Sequence, residues 1–197
     1  MTRFVLATAN VHKAEELRAV LGELDVELLA RPLEVPEVDE TDDTLEGNAA
    51  LKARALVLAT GRAAIADDTG LFVDALEGRP GVRSARFAGE NATDEQNVRK
   101  LLDELAGVPE AERRATFRTV MYVAYPDGES LSSEGVLQGH IAVNPRGTMG
   151  FGYDPVFVPE GLAGRTLAEL SPDEKNAVSH RARALRALAA MLAEGPN

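Results

Sequence analysis

The chain has 197 residues, 45% of them hydrophobic, and a formal net charge of −11. That length accommodates one domain with a real core, and the acidic balance argues against a protein that coats nucleic acid. Cysteine is absent, which excludes disulfides, a thiol nucleophile and cysteine-bound zinc; no apolar run is long enough to span a membrane and no signal-peptide pattern opens the chain, so the expected compartment is the cytoplasm.

Phe4–Ala7 reads as a short buried strand. The turn Thr8-Ala9-Asn10-Val11-His12-Lys13 follows, and a helix is predicted from about Val11 to Leu24, with Ala14, Leu17, Val20, Leu21 and Leu24 at helical spacing. Asn10 is the expected N-cap. A strand, a polar turn, a helix N-terminus and Lys13 together form a phosphate site. The plainer alternative is a capped helix with a solvated lysine, because the Walker glycines are missing. Val26–Leu29 is a second strand candidate. The stretch 33–44 is an acidic loop in which one carboxylate could reach a metal; a solvated loop is the commoner use of such a run. Asp43 and Glu46 give a capping-box pattern for the next helix, which runs to about Thr60 and ends at Gly61. Asn48 and Lys52 share its polar face.

Ala63-Ala64-Ile65-Ala66 reads as a short buried strand that meets Asp67, Asp68, Thr69 and Gly70 at its end. Adjacent acids there are costly without positive charge, and a divalent metal is the usual answer. Two acids capping a turn is the structural alternative. Thr93 and Gln96 mark another helix start. Ala115–Tyr125 and Ser130–Ile141, joined through Pro126-Asp127-Gly128, form a predicted hairpin. Strand–helix alternation followed by this hairpin implies a mixed α/β fold with an elongated central sheet, one domain spanning residues 1–197. Phe151-Gly152-Tyr153-Asp154 places two rings and an acid on a tight loop, where the rings could stack on a base or pack in a core. Ser171-Pro172-Asp173-Glu174 is a strong helix start, and Ser179-His180-Arg181 opens or continues the last helix.

In order along the chain, Thr8-Ala9-Asn10-x-x-Lys13, Glu46-x-Asn48-Ala49-x-x-Lys52, Ala66-Asp67-Asp68-Thr69-Gly70 with Pro80-Gly81-Val82-x-Ser84-Ala85-Arg86, Phe151-Gly152-Tyr153-Asp154-Pro155 and Lys175-x-x-x-Ser179-His180-Arg181 resemble the inosine triphosphate pyrophosphatase-like, or HAM1-like, family. The resemblance spans Thr8 to Arg181. It implies hydrolysis of ITP, dITP and XTP to the monophosphate and pyrophosphate, a Mg²⁺ requirement, a cytoplasmic homodimer, and a sheet flanked by helices in two lobes with the active cleft between them. No nucleic-acid or membrane partner is implied. It also assigns roles. Thr8, Ala9, Asn10, Val11, His12 and Lys13, with Thr69, would bind substrate. So would Phe151, Gly152, Tyr153, Asp154, Lys175, His180 and Arg181, Arg181 being the expected donor to the C6 oxygen of the base. Asp68 would be the catalytic base and a metal ligand, joined by Asp39 or Glu40; Asp67 would be a second ligand or a structural acid. This chain departs from the family pattern at Thr69, where serine is common, at Asp39, where glutamate is usual, and at His12. The rival readings are a Maf-like nucleotide pyrophosphatase acting on other nucleotides and a non-catalytic nucleotide-binding protein.

Overall fold

The computed structural model describes residues 2–8, 11–21 and 26–194. In chain order the elements are β1 (Thr2–Leu6), α1 (Val11–Leu21), β2 (Val26–Leu29), α2 (Leu45–Thr60), β3 (Ala64–Val73), β4 (Pro80–Gly81), α3 (Asp94–Glu104), β5 (Arg114–Ala124), β6 (Ser130–Ile141), β7 (Phe157–Pro159), α4 (Pro172–Val178) and α5 (His180–Glu194). The strands form one mixed sheet in the order β2-β1-β3-β5-β6-β7, with β4 paired to β3. Helical crossovers make β1 parallel to both β2 and β3; Val5 faces Leu29 on one side and Ala64 on the other. β4 and β7 are antiparallel to β3 and β6.

By internal packing the chain divides into two units. The first comprises Met1–Asp68, Thr119–Gly135 and Arg181–Asn197; the second comprises Thr69–Arg118 and Val136–His180. The core of the first is Phe4, Leu6, Leu17, Leu21, Ile65, Met121, Val123, Leu185 and Leu188. Leu71, Val73, Leu101, Leu105, Phe117, Ile141, Phe157 and Leu167 centre the core of the second. Among the described residues no helix is long and apolar enough to cross a membrane.

Several sequence expectations hold closely. The hairpin strands lie within a residue of their predicted bounds. Capping boxes start α3 at Thr93 and α4 at Ser171, and Gly61 closes α2 in the left-handed conformation with φ of 65°. The start of α2 is different. Its N-cap is Thr44, whose hydroxyl accepts from Gly47 N, in place of Asp43. The displacement follows from Asp42, whose carboxylate accepts from both the amide and the hydroxyl of Thr44 and so fixes the cap one residue later.

The larger correction concerns β3. It does not stop at the acids but is ten residues long in all, running through Asp67, Asp68, Thr69 and Gly70 to Val73. Two local facts keep it extended. Leu71 and Phe72 pair with Gly81 and Pro80, and Leu71 N donates to Ser84 Oγ at 2.8 Å. Gly70 permits this close approach, since a Cβ there would lie 2.7 Å from the Gly81 carbonyl oxygen.

Candidate active site

Consecutive side chains on a strand point to opposite faces. Asp67 and Asp68, adjacent in sequence, therefore do not act as a pair, and their partners within the first unit confirm it. On one side, Asp67 Oδ2 is 3.0 Å from Lys13 Nζ of α1 and 3.4 Å from Arg181 Nε of α5. Arg181 Nη1 in turn binds Glu16 Oε2 at 2.6 Å. The order Glu16, Arg181, Asp67, Lys13 alternates in sign. Burial raises the Asp67 pKa, but Lys13, Arg181 and Lys52 outweigh it and hold the carboxyl well below the usual carboxylate range. Burial likewise opposes the Arg181 charge, and Asp67 and Glu16 more than offset it.

On the other side, Asp68 Oδ1 is 2.8 Å from Lys52 Nζ of α2, and Lys52 lies 3.0 Å from Glu40 Oε1. Asp68 Oδ2 is buried and has no hydrogen-bond partner among the described residues. Burial pushes Asp68 up to about 6, Lys52 pulls the other way, and the Glu40 charge reinforces the rise. Burial works against the Lys52 ammonium too, but Asp68, Asp67 and Glu40 keep it charged. Glu40 thus stands with Asp68, whereas Asp39 is exposed and outside this cluster. Of the turn residues expected to hold phosphate, Lys13 and Thr8 are both half-buried at the β1–α1 junction. Ala9 and Asn10 lie outside the described residues, as do the side chains of Val11 and His12.

In the second unit a separate cluster forms. Lys175 Nζ binds Asp154 Oδ2 at 2.7 Å and stands 4.5 Å from the Phe151 ring centroid. Asp154 Oδ2 also accepts from Phe151 N at 2.9 Å. Gly152 N donates to Asp94 Oδ2 at 2.7 Å. Tyr153, which the sequence left open between stacking on a base and packing in a core, is buried, with its hydroxyl donating to Ser84 O at 2.8 Å. His180 is buried and stacks on Phe117 with centroids 4.5 Å apart. Thr69 is half-buried on β3. Phe151 is the ring in this loop left with partial exposure.

Three contributors were not assigned roles from sequence. Lys52 had a signal, since it closes one of the motifs that carry the family resemblance and lies one turn after Asn48. Glu16 had a weaker one, a carboxylate one turn after Lys13 on the same helix face. Asp94 had none beyond being the first residue of a helix.

The fold and these clusters define a class: mixed α/β proteins closely similar to solved HAM1 structures. The HAM1 protein from Coxiella burnetii superposes with a TM-score of 0.91 at 41% identity, covering 99% of this chain and 100% of that one. The chain belongs to the Ham1 family, whose model matches residues 4–191. A dITP/XTP pyrophosphatase of Thermoanaerobacter sp. (strain X514) is 51% identical over 188 residues, 94% of each chain. One of Streptomyces avermitilis is 48% identical over 198 residues, 98% of each.

Proposed function

We propose that this protein hydrolyses deaminated purine nucleoside triphosphates, dITP, XTP and ITP, to the monophosphate and pyrophosphate. Family membership and the named activity of its relatives support the reaction class. The observation that carries the chemistry is Asp68, a buried carboxylate with one oxygen on Lys52 and the other without a hydrogen-bond partner among the described residues.

The residues on this side of β3 fit Mg²⁺. Among the described residues no group of three or more acids or histidines converges, but Mg²⁺ is usually bound through one or two carboxylates, with phosphate oxygens and water completing its shell. Asp68 and Glu40 are hard oxygen donors of that number, and the orphaned Asp68 Oδ2 is an acceptor in need of a partner. Mg²⁺ held by these two groups would neutralise charge on the triphosphate. Lys13 and the N-terminal amides of α1 bind phosphate oxygens, and the Lys52 ammonium adds a second cation. Asp68 takes a proton from water; the water oxygen bonds to the α-phosphorus, the bridging bond to the β-phosphate breaks, and pyrophosphate departs with that electron pair. By the same resemblance the working form is a cytoplasmic homodimer.

A panel of nucleoside triphosphates with Mg²⁺ tests the proposal. ITP, dITP and XTP should yield monophosphate and pyrophosphate in equal amounts, with ATP and GTP turned over far more slowly. Orthophosphate as the product, preference for pyrimidine nucleotides, or binding without turnover would each overturn it.

A further inference from the structure

We propose that Asn48 is a positioning residue that holds Glu40 beside Asp68 by clasping the backbone of the acidic loop. Asn48 is fully buried in the first turn of α2. Its Oδ1 accepts from Asp42 N at 2.9 Å, and its Nδ2 donates to Asp42 O at 3.1 Å. Both polar groups of one loop residue are thus fixed by one side chain, much as a strand would fix them. No other type of side chain of that size offers a donor and an acceptor side by side. The rest of the junction is built to admit this clasp. Asp42 Oδ1 binds Thr44 N at 2.8 Å and Thr44 Oγ1 at 2.6 Å. Gly47 leaves room for the same carboxyl, because a Cβ at that position would lie 2.1–2.4 Å from the Asp42 carboxyl atoms.

The clasp matters because of what flanks it. Glu40 lies two residues before Asp42. Lys52 lies four residues after Asn48, on the same helix face, and binds Glu40 at 3.0 Å and Asp68 at 2.8 Å. A single turn of α2 therefore carries both the anchor of the loop and the cation that its carboxylate meets. Asn48 is fully buried with both polar groups on the loop backbone, so it acts through Glu40.

This inference rests on the reading of Asp68 and Glu40 as the metal-facing carboxylates. Mn²⁺, which favours the same oxygen ligands as Mg²⁺, is the probe. Its binding to the full, nucleotide-free protein is followed by the EPR signal of the free ion in wild type, Glu40→Gln, Asn48→Ala and the double variant. Loss of a supporting contact costs about 10–100-fold in metal affinity, so Asn48→Ala should show a loss of that order and Glu40→Gln, which removes a metal-facing carboxylate itself, a loss at least as large. The double variant should bind as Glu40→Gln alone does, because Asn48 has nothing left to position. Wild-type binding by Asn48→Ala, or a double-variant loss equal to the product of the two single losses, overturns the proposal while leaving the metal reading intact. Wild-type binding by Glu40→Gln overturns the metal reading and the proposal with it. If Asn48→Ala does not fold, Gly47→Ala replaces it. The added methyl should displace Asp42 and weaken Mn²⁺ binding, and adding Asp42→Ala, which removes the colliding carboxyl, should restore it. Unchanged binding in Gly47→Ala, or no restoration in the double variant, contradicts the proposed clasp.

Discussion

Asp67 and Asp68 are consecutive and equally buried at 4% exposure, yet their surroundings set them apart. Asp67 faces two cations and is kept ionised. Asp68 shares one cation with a rival carboxylate and is pushed towards the neutral form. The strand period produces this split: one step along β3 turns a side chain from the α1 and α5 partners to the α2 partner. A run of two acids in a strand is thus two single acids, one that docks helices and one whose second oxygen has no hydrogen-bond partner among the described residues.

Removing Arg181 tests the docking side most severely. Arg181→Ala leaves Glu16 and Asp67 without the guanidinium that joins them, and breaking a buried pair in this way costs about 3–5 kcal/mol, read from denaturant unfolding. Because the guanidinium serves two carboxylates of its own chain, turnover of ITP and residual turnover of ATP should fall by the same factor. A fall confined to ITP would make Arg181 the base-reading donor that the sequence motif suggested.

Lys13 is the exposed end of the same chain of charges, with 21% of its side chain accessible. Lys13→Ala should weaken nucleoside triphosphate binding by about 1.5–3 kcal/mol, the worth of a charge-assisted contact, measured by calorimetry. An unchanged dissociation constant would confine Lys13 to holding Asp67.

The two aspartates should also respond to pH with opposite sign. The folded-state pKa of Asp68 is raised from 3.8 to about 6. Its stabilising contribution is therefore full below its unfolded value and lost as pH rises through its folded one. That of Asp67, whose folded pKa is depressed, is present above 3.8 and lost as pH falls. In the metal-free protein, Asp68→Asn should gain stability relative to wild type between about pH 4 and 6 and hold that gain above it. A difference that stays flat across this window would refute the raised pKa.

The smallest effect belongs to Asp39. It is exposed, so Asp39→Asn should change stability by no more than about 0.5 kcal/mol and leave turnover intact, whereas Glu40→Gln should lower it. The reverse outcome would transfer the ligand role to Asp39.

The sequence was legible where signals are local. Thr93 with Gln96, Ser171 with Glu174, and Gly61 announced helix ends, and alternating β-formers around Pro126-Asp127-Gly128 announced the hairpin. It misled at β3, where adjacent acids and a glycine imitate a strand end. What extends the strand is non-local: β4, Ser84 Oγ, and cations supplied from α1, α2 and α5. That Glu40 and not Asp39 is the one to meet Lys52 had no local signal either, because the contact joins the loop to α2. Tyr153 was ambiguous in the same way. Its burial in the core of the second unit and its hydrogen bond to Ser84 O, sixty-nine residues away, mark it as a core residue.

Steady-state pyrophosphate release by purified Asp68→Asn, at saturating ITP and Mg²⁺, bears most directly on the division between the two acids. The amide is close in size but cannot take the water's proton, and loss of a general base alone lowers rates by about 10²–10⁴-fold. The expected result is a folded variant, melting no lower than wild type, with turnover reduced by at least that factor. Near-normal turnover in a folded Asp68→Asn would contradict the assignment of Asp68 as the base.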